Sequence, residues 1–499
     1  VGNNERRPSI AIVGSGFSGL GLAVRLKRAG FTDLTIFEKA AGVGGVWRDN
    51  TYPGAACDAP SHLYSYSFRP NPDWSRRFAE QPEILGYLQD CASDFGLEPH
   101  LRYRTEIVSA RYDPAARHWV LTARDGERTT ADVLVAACGQ LSRPAVPQIP
   151  GLEHFTGTVF HSARWDHDCD FRDRDVAVVG TGASAIQFVP HVAGRARSLT
   201  VFQRQAHWLG PKPDREYSRL RKLANRRFPL LQRLPRLGVF LCFEALLNPM
   251  LISPYGRRLL GWPIRRWCHH HRREIRDPAL RAALEPRYEL GCNRILASSD
   301  YFETLNRGNT HVVTQPITRI EARAVRTADG GLHRADTIIL ATGFRSHDFV
   351  APMRVEGLDG ADLTTTWQRR PRAYLGLTVP RFPNFFLMYG PNTNVGSGSI
   401  VHMLESQMNY IVDAVEQVAR TGYLEVRAEV FDRFQDTLHR RLSTTVWNTG
   451  GCHSWYVTEA DGRPLNTNNW SGSMYAYRRR TRRLALAEYH TTPAAAGER

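Results

Sequence analysis

Ser9-Ile10-Ala11-Ile12-Val13-Gly14-Ser15-Gly16-Phe17-Ser18-Gly19 decides the fold, because it recurs in altered form as Asp175-Val176-Ala177-Val178-Val179-Gly180-Thr181-Gly182-Ala183-Ser184-Ala185. In each copy a β-branched apolar run bounded by glycine reads as a buried parallel strand. A helix follows the first copy over positions 17 to 28, Gly30 marks its stop, and Leu34-Thr35-Ile36-Phe37 reads as the next strand. After the second copy that next strand is Ser198-Leu199-Thr200-Val201-Phe202. The chain is therefore expected to be α/β, with two Rossmann-like dinucleotide-binding domains.

The glycines have separate duties. One permits the tight turn, the next lets backbone N–H groups approach a pyrophosphate, and the third allows close packing of helix on strand. The helix N-terminus adds partial positive charge. In the second copy Ala185 replaces the third glycine. The two units differ where each following strand ends. Glu38 ends the first, and a carboxylate there accepts hydrogen bonds from an unphosphorylated ribose, which suits FAD or NAD. Gln203-Arg204 ends the second, and arginine neutralises a 2′-phosphate, which suits NADPH.

Each unit has a return strand ending in small residues, Val133 to Gly139 for the first and Thr337 to Gly343 for the second. Between 214 and 288 the chain turns Arg-rich and helical, so a helical insertion in the NADP domain is expected. Phe385-Phe386-Leu387-Met388-Tyr389-Gly390-Pro391 reads as a strand back in the first domain, followed by a helix over 401–419. The expected division is an FAD domain over 1–150 and 336–490, an NADP domain over 151–335, and a disordered tail over 491–499.

The chain has 499 residues, 42% hydrophobic and 23% charged, which excludes a disordered or fibrous protein. Its net charge of +16 favours anionic partners. The run Arg478-Arg479-Arg480-Thr481-Arg482-Arg483 reads as a solvated or intramolecular face, with no nucleic-acid partner, because no stacking aromatics interleave it. Eight scattered cysteines without C-x-x-C, and no signal peptide before the first strand, lead to an expectation of reduced thiols and a cytoplasmic protein. The apolar stretch from Leu237 to Leu247 is short and broken by Glu244, so a core or lid helix is expected and no transmembrane segment. Phe228, Phe240, Phe243 and Trp262 either line a pocket or form the insertion's own core, the reading favoured here. Cys268-His269-His270-His271 is not expected to hold a metal, because adjacent helical side chains point in different directions.

Two long motifs carry a family resemblance. Phe155, Gly157, His161, Trp165 and Asp166 complete the pattern F-x-G-x-x-x-H-x-x-x-W-[P/D]. Gly44, Gly45, Trp47, Tyr52, Pro53, Gly54 and Asp58 complete a second. On these the chain resembles the class B flavoprotein monooxygenases, and within them the Baeyer–Villiger monooxygenases, over nearly its whole length. The resemblance implies that NADPH reduces FAD, that a C4a-peroxyflavin forms with O2, and that one oxygen atom enters beside a ketone carbonyl to give an ester or lactone. It implies that Arg294, in Gly291-Cys292-Asn293-Arg294, is the catalytic cation, balanced by Asp58. Cofactor contacts follow for Gly14, Gly16, Phe17, Ser18, Gly19, Glu38, Gly45, Val46, Trp47, Tyr52, Asp58 and Tyr64. They follow also for Gly180, Thr181, Gly182, Ala183, Ser184, Ala185, Gln187, Arg204, Gln205, Thr342, Gly343 and Asn392. Trp455 resembles a tryptophan that closes over cofactor and substrate, with Trp470 as its rival.

Some positions depart from the family pattern. Asn293 stands where relatives carry a lysine on the 2′-phosphate, and Gln205 where they carry Thr or Ser, which weakens the expected preference for NADPH. Two alternatives remain: oxidation of nitrogen or sulfur, and a flavin-binding sensor or interaction protein. A disulfide reductase lacks its C-x-x-C. The chain is expected to act as a monomer or weak homo-oligomer.

Overall fold

A computed structural model describes residues 7–368, 370–460 and 463–492. The two glycine loops leave two separate five-stranded parallel sheets. In the first, the strands run in the order Phe385–Leu387, Val133–Ala136, Ile10–Val13, Leu34–Phe37, Leu101–Arg102. In the second the order is Thr310–Val313, Ser198–Phe202, Asp175–Val179, Thr337–Leu340, Thr158–His161. Each opening strand lies between its successor and its return strand, with Val13 opposite Phe37 and Ala136, and Val179 opposite Phe202 and Leu340. The apolar runs follow from this placement, since parallel strands covered on both faces leave no face for polar alternation.

On one face of the first sheet, Ile10 and Ile12 pack with Leu20, Val24, Leu404 and Ile411 from the helices Phe17–Arg28 and Ile400–Thr421. On the other, Ala11, Leu134 and Phe385 meet Trp119 and Leu121 of a four-stranded sheet. The strand Phe385–Leu387 pairs with Val133–Ala136, which returns the chain to the first sheet as its sequence implied. The strand Thr337–Leu340 belongs to the second sheet, so the crossing back comes after it and not at 335. The expected tail lies, from 493 onward, outside the described residues.

The first glycine of each turn lies directly on the backbone at the end of its return strand. A Cβ on Gly14 would stand 2.5 Å from the Ala137 carbonyl oxygen, and one on Gly180 2.4 Å from that of Ala341, both at φ near +110°. A Cβ on Gly19 would meet the Gly14 oxygen at 1.9 Å. Ala185 carries that Cβ, and its helix, Ala185–Ala193, begins two residues later than Phe17–Arg28 does in the matching frame. Gly182 differs, since a Cβ there meets nothing within 4 Å. Gly180→Ala should therefore lower the apparent melting temperature, at a cost of about 1–3 kcal/mol or more, while Gly182→Ala leaves it unchanged. Thermal unfolding of the two variants side by side checks this.

Candidate active site

The first glycine loop is built to take an anion. Neither helix following a glycine turn has a side-chain cap at its start, at Gly16 or at Ser184, so the first N–H groups are left for another acceptor. A Cβ on Gly16 would have only Gly45 within 4 Å, which leaves the backbone there open to approach. Glu38 ends its strand as expected and is buried. It accepts from the Ser15 hydroxyl (2.7 Å), the Ser15 N–H (3.1 Å) and the Ala40 N–H (2.9 Å), and pairs with Arg48 at 3.0 Å. These four donors take up its roughly four lone-pair sites, so a ribose hydroxyl there has to share or displace one of them.

The second motif wraps this loop. Gly44 N–H donates to the Ser15 carbonyl (3.0 Å), and Val46 opens the short helix Val46–Asp49 beyond Gly45. Trp47 donates its indole N–H to the Tyr64 hydroxyl (3.1 Å), and Tyr64 stands edge-on to Phe17 at 5.1 Å. Past Tyr52 the chain crosses to the second domain. Gln187 accepts from the Ala56 N–H (2.8 Å) and donates to the Ala183 carbonyl (2.7 Å) and to the Tyr52 hydroxyl (3.4 Å). One amide thus ties the motif to the second glycine loop.

That tie delivers Asp58 to Arg294. The guanidinium donates through Nε to Oδ2 (2.6 Å) and through Nη2 to Oδ1 (2.7 Å), a bidentate pair 236 residues apart in sequence. Asp58 is thus the partner of Arg294 that the resemblance implied. Both side chains stay partly accessible, 33% for Arg294 and 40% for Asp58. Burial would raise the Asp58 carboxyl, but the charge and hydrogen bonds of Arg294, with help from Lys212, hold it below the ordinary carboxylate range. The Asp58 charge in turn raises Arg294 against the opposing effect of burial.

Tyr456, Tyr389 and Lys212 escaped the sequence reading, since nothing local marks them. Burial raises both phenols, and the Arg294 charge partly offsets it. Trp455 is 37% exposed, its ring 4.4 Å from that of Tyr456, and its carbonyl accepts from Ser346 and Asn468. Trp470 is buried against Tyr477 and lies in the core, so of the two rivals Trp455 is the one beside the site. The expectation that all eight cysteines are free thiols is corrected at two of them. Cys292 and Cys452 form a disulfide across 160 residues, tying the segment before Arg294 to the segment before Trp455. Sequence spacing could not reveal a pair that only the fold brings together.

On the second nucleotide side Arg204 is exposed at the strand end, and no carboxylate among the described residues pairs with it. Asn293 is buried and donates to Gln205 Oε1 (3.4 Å) and to the His453 carbonyl (3.3 Å), so the two departures from the family pattern satisfy each other. Thr181 is buried in the glycine turn. Thr342 donates to the Ala145 carbonyl (2.6 Å), and Gly343 lies at φ +79° where the linker from the first domain crosses. Asn392 spends both amide hydrogens on the carbonyls of Asn466 and Asn469. The five fingerprint residues lie around the second sheet's edge strand. Trp165 packs on Phe160 and Phe188, and His161 accepts from the Ala163 N–H (3.1 Å), with burial lowering its pKa. Asp166 caps the Asp168 N–H, Phe155 is half-buried, and a Cβ on Gly157 would lie 2.2 Å from the Asp336 oxygen.

Two nucleotide sheets with an arginine–carboxylate pair between them define a flavin-dependent monooxygenase, and residues 7–236 match the flavin-binding monooxygenase-like family. A Baeyer–Villiger monooxygenase of Pseudomonas aeruginosa is 43% identical over 98% of this chain and 93% of its own. Among solved structures, oxidized steroid monooxygenase bound to NADP superposes with a TM-score of 0.82 at 30% identity, covering 95% of this chain and 97% of that one. OTEMO in complex with FAD and NADP gives 0.84 at 26% identity, with the same coverage. The chain belongs to the Baeyer–Villiger monooxygenases.

The Asp58 pKa is depressed by folding, so its contribution is present above about 3.9, the unfolded value, and is lost as pH falls through the folded value. Asp58→Asn should lower the melting temperature at pH 7 and reduce turnover by roughly tenfold or more, in line with the loss of a charge-assisted hydrogen-bond pair. The difference in melting temperature from the unaltered enzyme should hold down to about pH 4 and shrink as pH is lowered further, from the unfolded value of about 3.9 toward the depressed folded one. Paired melting curves across that range test it.

Proposed function

We propose that Arg294 is the fixed cation of an FAD- and NADPH-dependent oxygen insertion, and that Asp58 aims it. The observation that carries this reading is the bidentate, partly accessible Arg294–Asp58 pair. The enzyme uses FAD and NADP, converting a ketone, O2, NADPH and a proton into an ester or lactone, NADP⁺ and water. Bound FAD, reduced by NADPH, supplies the chemistry that activates O2.

The protein's part is electrostatic. Arg294 has five N–H donors and gives two to Asp58; with the Tyr456 hydroxyl also in its reach, two stay for oxygens of the reacting partners. Its charge persists at any working pH, and Asp58 keeps the guanidinium plane from turning. Negative charge moves onto the former carbonyl oxygen as the new bond forms, and a preorganised cation there contributes most where water is thin. Tyr456, Tyr389 and Trp455 wall this region. We further propose that Gln187 orients the Asp58 loop, that Arg204 takes the 2′-phosphate of NADPH, and that the enzyme acts in the cytoplasm as a monomer or weak homo-oligomer.

Arg294→Ala should cut ester formation by about 100-fold or more, the scale seen when one oxyanion donor is removed, while NADPH is still consumed and hydrogen peroxide is released. Ketone oxygenation at the unaltered rate would sink the assignment and favour oxidation of nitrogen or sulfur. Product analysis with a ketone panel decides between them. Arg204→Ala should raise KM for NADPH by about tenfold, the value of a charge-assisted contact, and leave KM for NADH and kcat nearly unchanged. The gap between the two cofactors should be modest, because Asn293 is spent on Gln205 and His453. Steady-state kinetics with both nucleotides measures this.

A further inference from the structure

The helical insertion is turned inside out relative to its expected packing. The stretch from Leu237 to Leu247 is neither a core helix nor a sealed lid, for Leu237, Leu241 and Leu246 are each about half exposed. Phe228 and Trp262, expected in the insertion's own core, are 58% and 65% exposed, while Phe240 and Phe243 pack inward as expected. Among the described residues nineteen large apolar side chains are exposed, and twelve of them lie between 220 and 267. Such a concentration marks an interaction surface, whereas scattered single exposures do not.

These side chains are arranged as faces. On the helix Leu230–Cys242 the exposed residues Leu230, Leu234, Leu237 and Leu241 follow the i, i+4, i+7, i+11 spacing of one stripe. On Pro254–Arg272, Tyr255, Leu259 and Trp262 do the same. The opposite side of the first helix is fastened to the protein. Arg236 donates to the carbonyls of His62 and Ser65 (both 2.8 Å), and Phe240 lies against His402 at 4.8 Å.

The surrounding charge is one-sided. From 219 to 273 there are thirteen arginine and lysine residues and a single acid, Glu244. Glu244 is itself spent, accepting from the Met474 and Tyr475 N–H groups at the start of the helix Met474–Arg480. That contact brings the basic run 478–483 alongside the insertion.

We propose that this face docks on the surface of an anionic phospholipid bilayer, with the leucine stripes sunk at the headgroup boundary and the arginines on lipid phosphates. Apolar stripe, arginine rim and aromatic residues at the margin are the three components of interfacial helix binding. The stretch Leu230–Ile252 is long and apolar enough to cross a membrane, and only 17% of its most apolar window is buried. Its anchorage through Arg236 makes it lie on a bilayer and not span one. A second copy of the chain is a poor occupant, since a two-fold contact would set this uncompensated positive charge against itself.

Sedimentation of the flavin-loaded enzyme with vesicles tests the proposal. Binding is expected to equimolar phosphatidylcholine–phosphatidylglycerol vesicles at low salt, to be weak on phosphatidylcholine alone, and to fall as salt rises. Leu234→Ser with Leu237→Ser and Leu241→Ser, and separately Arg227→Glu with Arg233→Glu, should each weaken binding by roughly tenfold or more. Turnover of a water-soluble ketone should be unchanged in both. The proposal is overturned if the anionic vesicles fail to bind at low salt, or if the leucine variant binds as well as the unaltered enzyme, which would mean charge adsorption alone. It is also overturned if ultracentrifugation shows a dimer that the leucine variant dissolves while vesicles leave it untouched.

Discussion

The ion pair between Asp58 and Arg294 joins the two halves of this enzyme across 236 residues of sequence. Each charge alone would be costly at this partly buried position. An unpaired carboxylate there would rise in pKa and neutralise, and an unpaired guanidinium would sacrifice hydration without return. Together, with two short hydrogen bonds, they hold one another ionised. The loop of Asp58 reaches this position because Gln187 fastens it to the second glycine turn. The segment of Arg294 is held from the other side by the disulfide through Cys292.

The two nucleotide units obey one steric rule. A turn glycine lies against the backbone carbonyl at the end of the return strand, which leaves no room for a Cβ on the turn residue. Where the chain relaxes the rule by placing Ala185 at the third position, the helix starts later. The fingerprint between the units supports the edge of the second sheet. Its histidine caps the turn that follows and its tryptophan packs on the neighbouring helix.

The insertion shows how composition misleads about direction. An apolar helix face is buried in most soluble proteins because burial stabilises it. In this chain the inner side of Leu230–Cys242 is held by Arg236 and Phe240, while four leucines turn outward among arginines. Hydrophobic periodicity reports that a face exists and is silent about what covers it.

The sequence by itself determined the two βαβ units, the glycine turns and the opposite charges of Glu38 and Arg204 just past the two second strands, because sterics and charge at those positions act over a few residues. Its motifs also singled out Asp58 and Arg294, through resemblance and not through spacing. Tertiary structure alone decided that Asp58 and Arg294 meet bidentately, that Gln205 and Asn293 satisfy each other, that Cys292 and Cys452 join, and that Tyr456 stands beside the cation. It decided also that Glu38 is shared with Ser15 and that the insertion's leucines face outward. Contacts between residues 88 to 236 positions apart depend on how two sheets and their linkers pack, and no local pattern of residue types encodes that distance.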